Sequence, residues 1–312
     1  MSIEASIIIV NWKVRDLLRA CLQSVRDQAG LRMDQMEVIV VDNDSRDGSV
    51  EMVRAEFPEV RLIANADNPG FGKANNQAMP YCTGRYVVLL NPDTVVLDGA
   101  IGTMVRRMDA CPDVAAMGCR LLNADGSLQR WTGGAFPRAL NLANHYLFLD
   151  QLLPRALRPM PLYLDHDAPA DIDVDWVSGA FMILRTPMLG GQLFNPDFFM
   201  YGEDMELCHR LKLAGHRVVY SPAASIIHYQ GASMKQQQGD VLLASLKGPR
   251  QFYRQMRGPQ GLWIFDLFTV SGFGLRWLLY RLASVVRPSG NFGARAASSL
   301  DLMGRAWRIR KG

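Results

Sequence analysis

Polar side chains stand directly behind four apolar runs early in the chain: Asn11 after ASIIIV, Asp42-Asn43-Asp44 after MEVIVV, Asn65 to Asn68 after VRLIA, and Asn91-Pro92-Asp93 after RYVVLL. Such runs read as strands of an open α/β sheet, and sheets of this kind bind ligands in the crevice beyond the strands' carboxyl ends. Asp42 and Asp93 follow their runs without a spacer, so their carboxylates are aimed into that crevice. Asp44, Ser45 and Asp47 suit turn and helix-cap duties instead.

Three further groups could share the crevice. The segment Asn68-Pro-Gly-Phe-Gly-Lys-Ala-Asn-Asn76 puts Gly70 and Gly72 at the mouth of a helix, where backbone N–H groups and the helix dipole favour a phosphate. As a dinucleotide fingerprint it reads GxGxxN, lacks the third Gly or Ala, and follows the third strand rather than the first. Glu203, Asp204 and Glu206 stand at a helix start, a position that favours negative charge on structural grounds alone. Phe198, Phe199 and Tyr201 just upstream would desolvate Asp204 and raise its pKa toward that of a useful base. His228 ends the run Ile226-Ile227 and can face the same crevice as Asp93, a carboxylate and imidazole pair that suits Mg²⁺ or Mn²⁺.

The elements that must carry these residues follow from hydrophobic period. Ala5 to Asn11, Met36 to Asp42, Val60 to Ala64, Arg85 to Asn91 and Val114 to Cys119 read as strands. They alternate with helical spacing over Val14 to Val25, around Val50 and Val53, from Gly70 onward, and from a cap at Asp98 to about Cys111. That alternation gives a largely parallel, nucleotide-binding half-fold up to residue 120. Asn123 to Ser127 carries an Asp125-Gly126 hairpin signal, whereas residues 133 to 172 are rich in Pro and Leu and show no period. Val174 to Arg185 is expected as a strand, Thr186-Pro187 as a helix start, and Glu203 to Ala214 as a helix stopped by Gly215. Arg217 to Tyr220 and Ser225 to Tyr229 are expected as two short strands that close the domain.

With 312 residues, 49% hydrophobic and 21% charged, the composition is that of one large or two modest globular domains. Five scattered cysteines without CxxC spacing argue against a disulfide framework or a thiolate zinc site and fit a reducing compartment. Met1 to Ser6 is too short and too poor in basic residues for a signal peptide, so a cytoplasmic location is expected. Charge is divided unevenly: residues 1 to 230 hold 21 Lys+Arg against 27 Asp+Glu, and residues 231 to 312 hold 13 against 3. A boundary near residue 233 therefore separates a first domain, 1–233, from a basic helical region, 234–312. Within Leu262 to Arg287, Asp266, Arg276 and Arg281 interrupt the apolar run, and Gly272 and Gly274 weaken its middle. Amphipathic helices lying in an anionic membrane surface, through residues 240 to 312, fit that pattern better than a span. The other use of the region is a helical subdomain packed on the first domain, or a homo-oligomer interface. No nucleic-acid partner is expected.

In this order, the segments VNW, VDNDSRDGS, NPGFGKANN, LLNPD, DWVSGAF, YGEDMELCHR and HYQGAS resemble family 2 glycosyltransferases of the GT-A fold, over about residues 3 to 233. Within that family they look like the bacterial rhamnosyltransferases. The resemblance implies an α/β nucleotide-diphospho-sugar transferase domain with a Rossmann-like mixed sheet, here followed by a helical, membrane-associating region. It further implies metal-dependent transfer, with inversion, from a dTDP- or UDP-sugar to a hydroxyl of a glycan or polyprenyl-linked saccharide. The setting would be cell-surface polysaccharide synthesis, peripheral on the cytoplasmic face of the inner membrane. By position, Asn11 and Asp42 would line the nucleotide base, and Asn68, Gly70, Phe71 and Asn75 the nucleotide and diphosphate. Asp93 and His228 would hold Mg²⁺ or Mn²⁺, and Asp204 would be the catalytic base. Trp176, Ser178 and Gly179, with Glu203, would frame the acceptor. One departure concerns the donor: the family's acidic DxD motif appears as Asn91-Pro92-Asp93, and loss of the first Asp, near the ribose, is expected to accompany a deoxyribose donor such as dTDP-rhamnose.

Two rivals use the same residues. An NAD-dependent oxidoreductase would explain Gly70-Phe71-Gly72 and an acid at Asp93 but leaves Glu203, Asp204 and His228 without a task. A non-catalytic nucleotide-sugar-binding membrane scaffold would need Asp93, Asp204 and His228 not to converge. A Walker-type phosphotransferase is disfavoured because no GxxxxGK[ST] occurs.

Overall fold

The computed structural model describes residues 2–149, 158–164, 167–229, 241–287 and 290–311. Two compact units emerge: Met1–Gly134 with Tyr163–Gln238, and Ala135–Leu162 with Gly239–Gly312. The second unit thus takes in part of the stretch whose sequence shows no period.

In the first unit, β1 (Ala5–Asn11), β2 (Met36–Asp42), β3 (Arg61–Ala64) and β4 (Tyr86–Leu90) run parallel in the order β3-β2-β1-β4. The Ile- and Val-rich stretches of β1, β2 and β4 are buried along nearly their whole length, as expected of parallel strands covered on both faces. Helices α1 (Arg15–Gln28), α2 (Ser49–Glu56), α3 (Phe71–Ala78) and α4 (Ala100–Ala110) connect or follow these strands. The sheet continues through β10 (Phe181–Arg185), β6 (Val114–Leu122), β11 (Arg217–His228) and β5 (Thr94–Val96), while β8 (Ile172–Asp173) pairs with β11. A separate ribbon joins β7 (Gly133–Gly134) to β9 (Trp176–Val177).

The parallel order breaks at β10, which is antiparallel to both β4 and β6. Its first residue, Phe181, sits opposite Leu90, so the segment entering β10 lies beside the turn leaving β4. On the other flank, β11 pairs antiparallel with β5 and sets His228 opposite Thr94. Two antiparallel pairings therefore bring residues from far along the chain to the Asn91–Asp93 turn.

Several local expectations give way to tertiary structure. The two closing strands are one strand, β11, with an irregularity between Ser221 and Ser225. The run Val174 to Arg185 splits into β9 and β10, and Thr186-Pro187 opens only a single 3-10 turn, Thr186–Met188. Gly99, in the left-handed region at φ 71°, takes the N-cap place of α4 in place of Asp98, and no side chain caps that helix.

The second unit holds α5 (Ala139–Leu147), α7 (Val241–Arg257), α8 (Leu262–Val286) and α9 (Phe292–Lys311); α6 (Glu203–Leu213) belongs to the first. Helix α8 runs unbroken through both glycines, and Gly272 lets Tyr146 of α5 approach where a Cβ would lie only 2.5 Å from the tyrosine Cβ. Two of the three interrupting charges are used internally. Asp266 accepts a bidentate pair from Arg250 (2.8 and 3.0 Å), and Arg276 donates to the carbonyls of His145 and Tyr146 (2.9 and 3.2 Å) at the end of α5. Among the described residues one helix, Pro259–Val286, is long and apolar enough to cross a membrane by length and composition.

Candidate active site

At the ends of β1 and β2, Asn11 and Asp42 are fully buried and face each other rather than open space. Asn11 Nδ2 donates to Asp42 Oδ2 (2.7 Å) and to Ser45 Oγ (3.0 Å), Asp42 Oδ1 accepts from the Ser45 amide (2.9 Å), and Ser45 Oγ accepts from the Lys13 amide (2.9 Å). Asp47 ties the same two loops together by accepting from the amides of Arg15 and Ser49, each at 3.0 Å. Charge-assisted bonds of this kind hold a loop in a fixed shape. The shape encloses a cleft of about 760 Å³ lined by Trp12, Lys13, Arg15, Asp44, Arg46 and Asn68 among others. Lys13, Asp44 and Arg46 all have positive φ (57°, 57° and 53°). Left-handed backbone at three non-glycine residues around one cleft is strain of the sort that collects at binding sites.

Asn68 Oδ1 accepts from the Gly70 amide (3.0 Å) and from Asn43 Nδ2 (3.2 Å), which sets the entry to α3. Gly70 is at φ 93°, and a Cβ there would come within 2.7 Å of the Phe199 ring. The Phe71 amide donates to the Phe199 carbonyl (3.1 Å), so the first N–H of α3 is already used. Asn75, expected on the diphosphate, is buried, and its Nδ2 donates back to the Phe71 carbonyl (2.9 Å).

Asp93 and His228 do meet. His228 Nε2 lies 3.3 Å from Asp93 Oδ1 with both side chains nearly buried, and Asn91 Nδ2 is also 3.3 Å from that nitrogen. The Tyr229 amide donates to the Asp93 carbonyl (2.8 Å), locking the end of β11 to the turn. A residue that local sequence pattern gave no reason to single out completes the group: Gln129 Oε1 is 2.7 Å from His228 Nδ1. The 3.3 Å separation of Nε2 and Oδ1 suits a shared proton or, with Nε2 bare, a shared cation. Adjacent ligands of an octahedral ion with bonds of roughly 2.1 Å stand about 3 Å apart, so the pair fits Mg²⁺ or Mn²⁺. Among the described residues no cluster of three or more His, Cys, Asp or Glu side chains forms a metal site, which leaves the remaining positions of such an ion to ligand oxygens and water.

Asp204 begins α6 half-buried, accepting from the Met205 amide (2.8 Å) and from the backbone of Gly179. Burial pushes its carboxyl up from the ordinary range, and those backbone N–H groups limit the rise. Its neighbour Glu203 is pushed up further, first by burial and then by the charge of Asp204, and Glu203 Oε2 has no hydrogen-bond partner. Burial also pushes the Tyr201 hydroxyl up to about 12, with Glu203, Asp93 and Asp204 all adding to the rise, so this phenol stands in the field of both Asp93 and Asp204. Glu206 is occupied by Arg210, whose Nε donates to both carboxylate oxygens (2.9 and 3.1 Å). In the loop expected to frame the acceptor, the Ser178 amide donates to the Thr132 carbonyl (2.9 Å), while Trp176 is 3% exposed and meets Tyr163 edge-on.

Comparison with known proteins bears on what this arrangement is for. The family described as glycosyl transferase family 2 matches residues 6–167, more than half of the chain. The N-acetylglucosaminyl-diphospho-decaprenol L-rhamnosyltransferase of Mycobacterium tuberculosis is 27% identical over 212 residues, covering 64% of this chain and 68% of that protein. The rhamnosyltransferase WbbL of Escherichia coli is 25% identical over 232 residues, covering 72% and 82%. A solved mannosyltransferase of Pyrobaculum calidifontis, in complex with GDP-Man and Mn²⁺, aligns with a TM-score of 0.60 at 15% identity, covering 99% of this chain and 87% of that one. That likeness is one of fold, the GT-A arrangement of mixed sheet and helices.

The state of Glu203 yields a stability prediction. Its folded-state pKa lies above the unfolded value of about 4.3, so the wild-type protein loses stability as pH rises from that value toward the folded pKa. Glu203→Gln removes the ionisation and is expected to raise Tm at pH 8 while leaving it nearly unchanged at pH 4. Thermal denaturation at both pH values measures this; equal Tm differences at the two would contradict it.

Proposed function

The chain belongs to glycosyl transferase family 2, and we propose that it moves a sugar, L-rhamnose from dTDP-rhamnose, to a hydroxyl of a polyprenyl-linked saccharide with inversion at the anomeric carbon. The observation that supports this most is geometric: the Asn91 amide donates to the Ala180 carbonyl (3.0 Å), which sets the Asp93–His228 pair beside the segment whose Gly179 backbone bonds Asp204.

The cleft behind β1 and β2 takes the nucleoside, with Asn11, Asp42 and Ser45 as braces of its two loops rather than as open contacts. Asn68 and the Gly70 turn lead from that cleft toward the diphosphate. Asp93 and His228 would hold Mg²⁺ or Mn²⁺, which when bound would neutralise charge on the diphosphate leaving group. Asp204 accepts the proton of the attacking hydroxyl as the new glycosidic C–O bond forms and the bond to the diphosphate oxygen breaks. Because burial lifts Asp204, it approaches the pKa at which a base works best near neutrality. The unpartnered Glu203 oxygen is available to a second hydroxyl of the acceptor. Against a dehydrogenase, the third glycine of the fingerprint is replaced by Asn75, the Phe71 amide is engaged by Phe199, and Asp93 pairs with His228.

The mycobacterial relative is named for a decaprenol-linked substrate, and a lipid-linked acceptor suits the second unit of this chain. Trp263, Leu267, Leu278, Leu282, Val285 and Val286 of α8 are exposed, and residues 231 to 312 are strongly basic. Exposed apolar side chains with Arg and Lys favour an anionic membrane surface on the cytoplasmic side. Full-length protein should sediment with anionic vesicles and little with zwitterionic ones; equal recovery with both would rule that surface out.

Asp204→Asn should leave nucleotide affinity intact and lower turnover by roughly 10² to 10⁴. The wild-type rate should rise with pH through a limb above the ordinary aspartate value of about 3.9. Turnover with dTDP-rhamnose and with UDP-sugars, and the anomeric configuration of the product by NMR, check the proposal. Near-normal turnover of the variant would remove Asp204 as base, a retained configuration would remove the inverting mechanism, and use of UDP-sugars alone would remove dTDP-rhamnose.

A further inference from the structure

We infer that Gln129 is a positioning residue: it fixes His228 as the Nδ1–H tautomer and thereby turns the Nε2 lone pair toward Asp93. The orientation of its amide is dictated by its partners. Gln129 is buried, and its Nε2 donates to the His228 carbonyl and to Asn123 Oδ1, each at 3.1 Å. Both are oxygens that only accept, so the opposite end of the amide, Oε1, is what faces His228 Nδ1 at 2.7 Å. An amide oxygen cannot donate, so Nδ1 must carry the hydrogen.

The same logic runs back to a fixed point. Asp125 Oδ1 accepts from Ser127 Oγ (2.6 Å), whose remaining lone pairs accept from Asn123 Nδ2 (2.9 Å), which leaves Asn123 Oδ1 for Gln129. The Asp125-Gly126 hairpin therefore sets the direction of every bond up to the imidazole. At the far side of the ring, Nε2 stands 3.3 Å from both Asn91 Nδ2, which donates, and Asp93 Oδ1, which accepts, so the shorter bond at Nδ1 decides the tautomer. Neutral imidazole has one hydrogen to place, and the nitrogen that would take a metal is chosen by the hydrogen bond at the other.

The tautomer is a property of the protein alone; its consequence for metal binding rests on the assignment of Asp93 and His228 as cation ligands. Two measurements on the full-length protein keep these apart. The first is long-range ¹H–¹⁵N correlation of histidine-labelled, metal-free protein at about pH 8.5, two units above the ordinary imidazole pKa, with the His228 signals identified by their loss in His228→Asn. The wild type should show Nδ1–H, Gln129→Met should move most of the population to Nε2–H, and Gln129→Glu, which keeps an acceptor at Nδ1, should restore Nδ1–H. Nε2–H in the wild type, or an unchanged population in Gln129→Met, would overturn the inference; the wild-type and Gln129→Glu spectra suffice should the methionine variant not fold. The second is free Mn²⁺ by EPR in the presence of dTDP, where Gln129→Met should weaken Mn²⁺ roughly 10- to 100-fold. A tautomer change with undiminished Mn²⁺ affinity would uphold the positioning role and overturn instead the place of His228 in the cation site.

Discussion

The reversal of strand direction at β10 governs the rest of the site. A strand parallel to β4 would bring its carboxyl end, not its entry, beside the turn after β4. Because β10 enters antiparallel, the Ala180 carbonyl accepts from the Asn91 amide at 3.0 Å, and the Ser178-Gly179 segment arrives beside that turn. The β5–β11 pairing then brings His228 to the same place from the other flank. Asp93 and His228, more than a hundred residues apart in sequence, are set together by backbone pairing, and Asp204 bonds the Gly179 backbone in the segment that enters beside their turn.

That rigidity has an electrostatic consequence. Glu203, Asp204 and Asp93 are carboxylates in a poorly solvated crevice with no Arg or Lys side chain recorded as bonded to them among the described residues. Elsewhere in the first unit, acids of similar burial are neutralised: Glu206 by Arg210 and Asp175 by Lys212. Buried acids without a cationic Arg or Lys partner are costly unless a ligand or proton completes them, and the contrast is in keeping with the proposed site. Left-handed backbone at Tyr201 adds strain beside these acids, as it does at Lys13, Asp44 and Arg46 around the cleft behind β1 and β2.

What the sequence made legible depends on how local each feature is. β1, β2 and β4 could be read because their β-branched runs are buried on both faces, and the Asn91–Asp93 turn because it follows such a run. β5, only three residues long, and Gln129, whose partner lies 99 positions away, have no local signature. Residues 133 to 172 lacked a period because part of that stretch packs on helices late in the chain: Phe136 on Phe252, and Tyr146 on Phe273. By motif position alone Asn11, Asp42, Asn75 and Trp176 face ligand, yet their side chains are buried and engaged within the protein. A motif fixes which residues matter without saying whether they touch a ligand or brace what does. The glycosyltransferase family and the GT-A fold followed from the order of the motifs, which no single element carried.

The proposed transfer requires a nucleoside diphosphate and a divalent cation to share the crevice. Thermal stability measured with Mn²⁺ or Mg²⁺ and a panel of dTDP, UDP, GDP and NAD tests this without any acceptor, because a ligand that binds only the folded state raises Tm by mass action. The account predicts a rise with dTDP that requires the cation and disappears in Asp93→Ala. A response to NAD alone, or none to any nucleoside diphosphate, would contradict it.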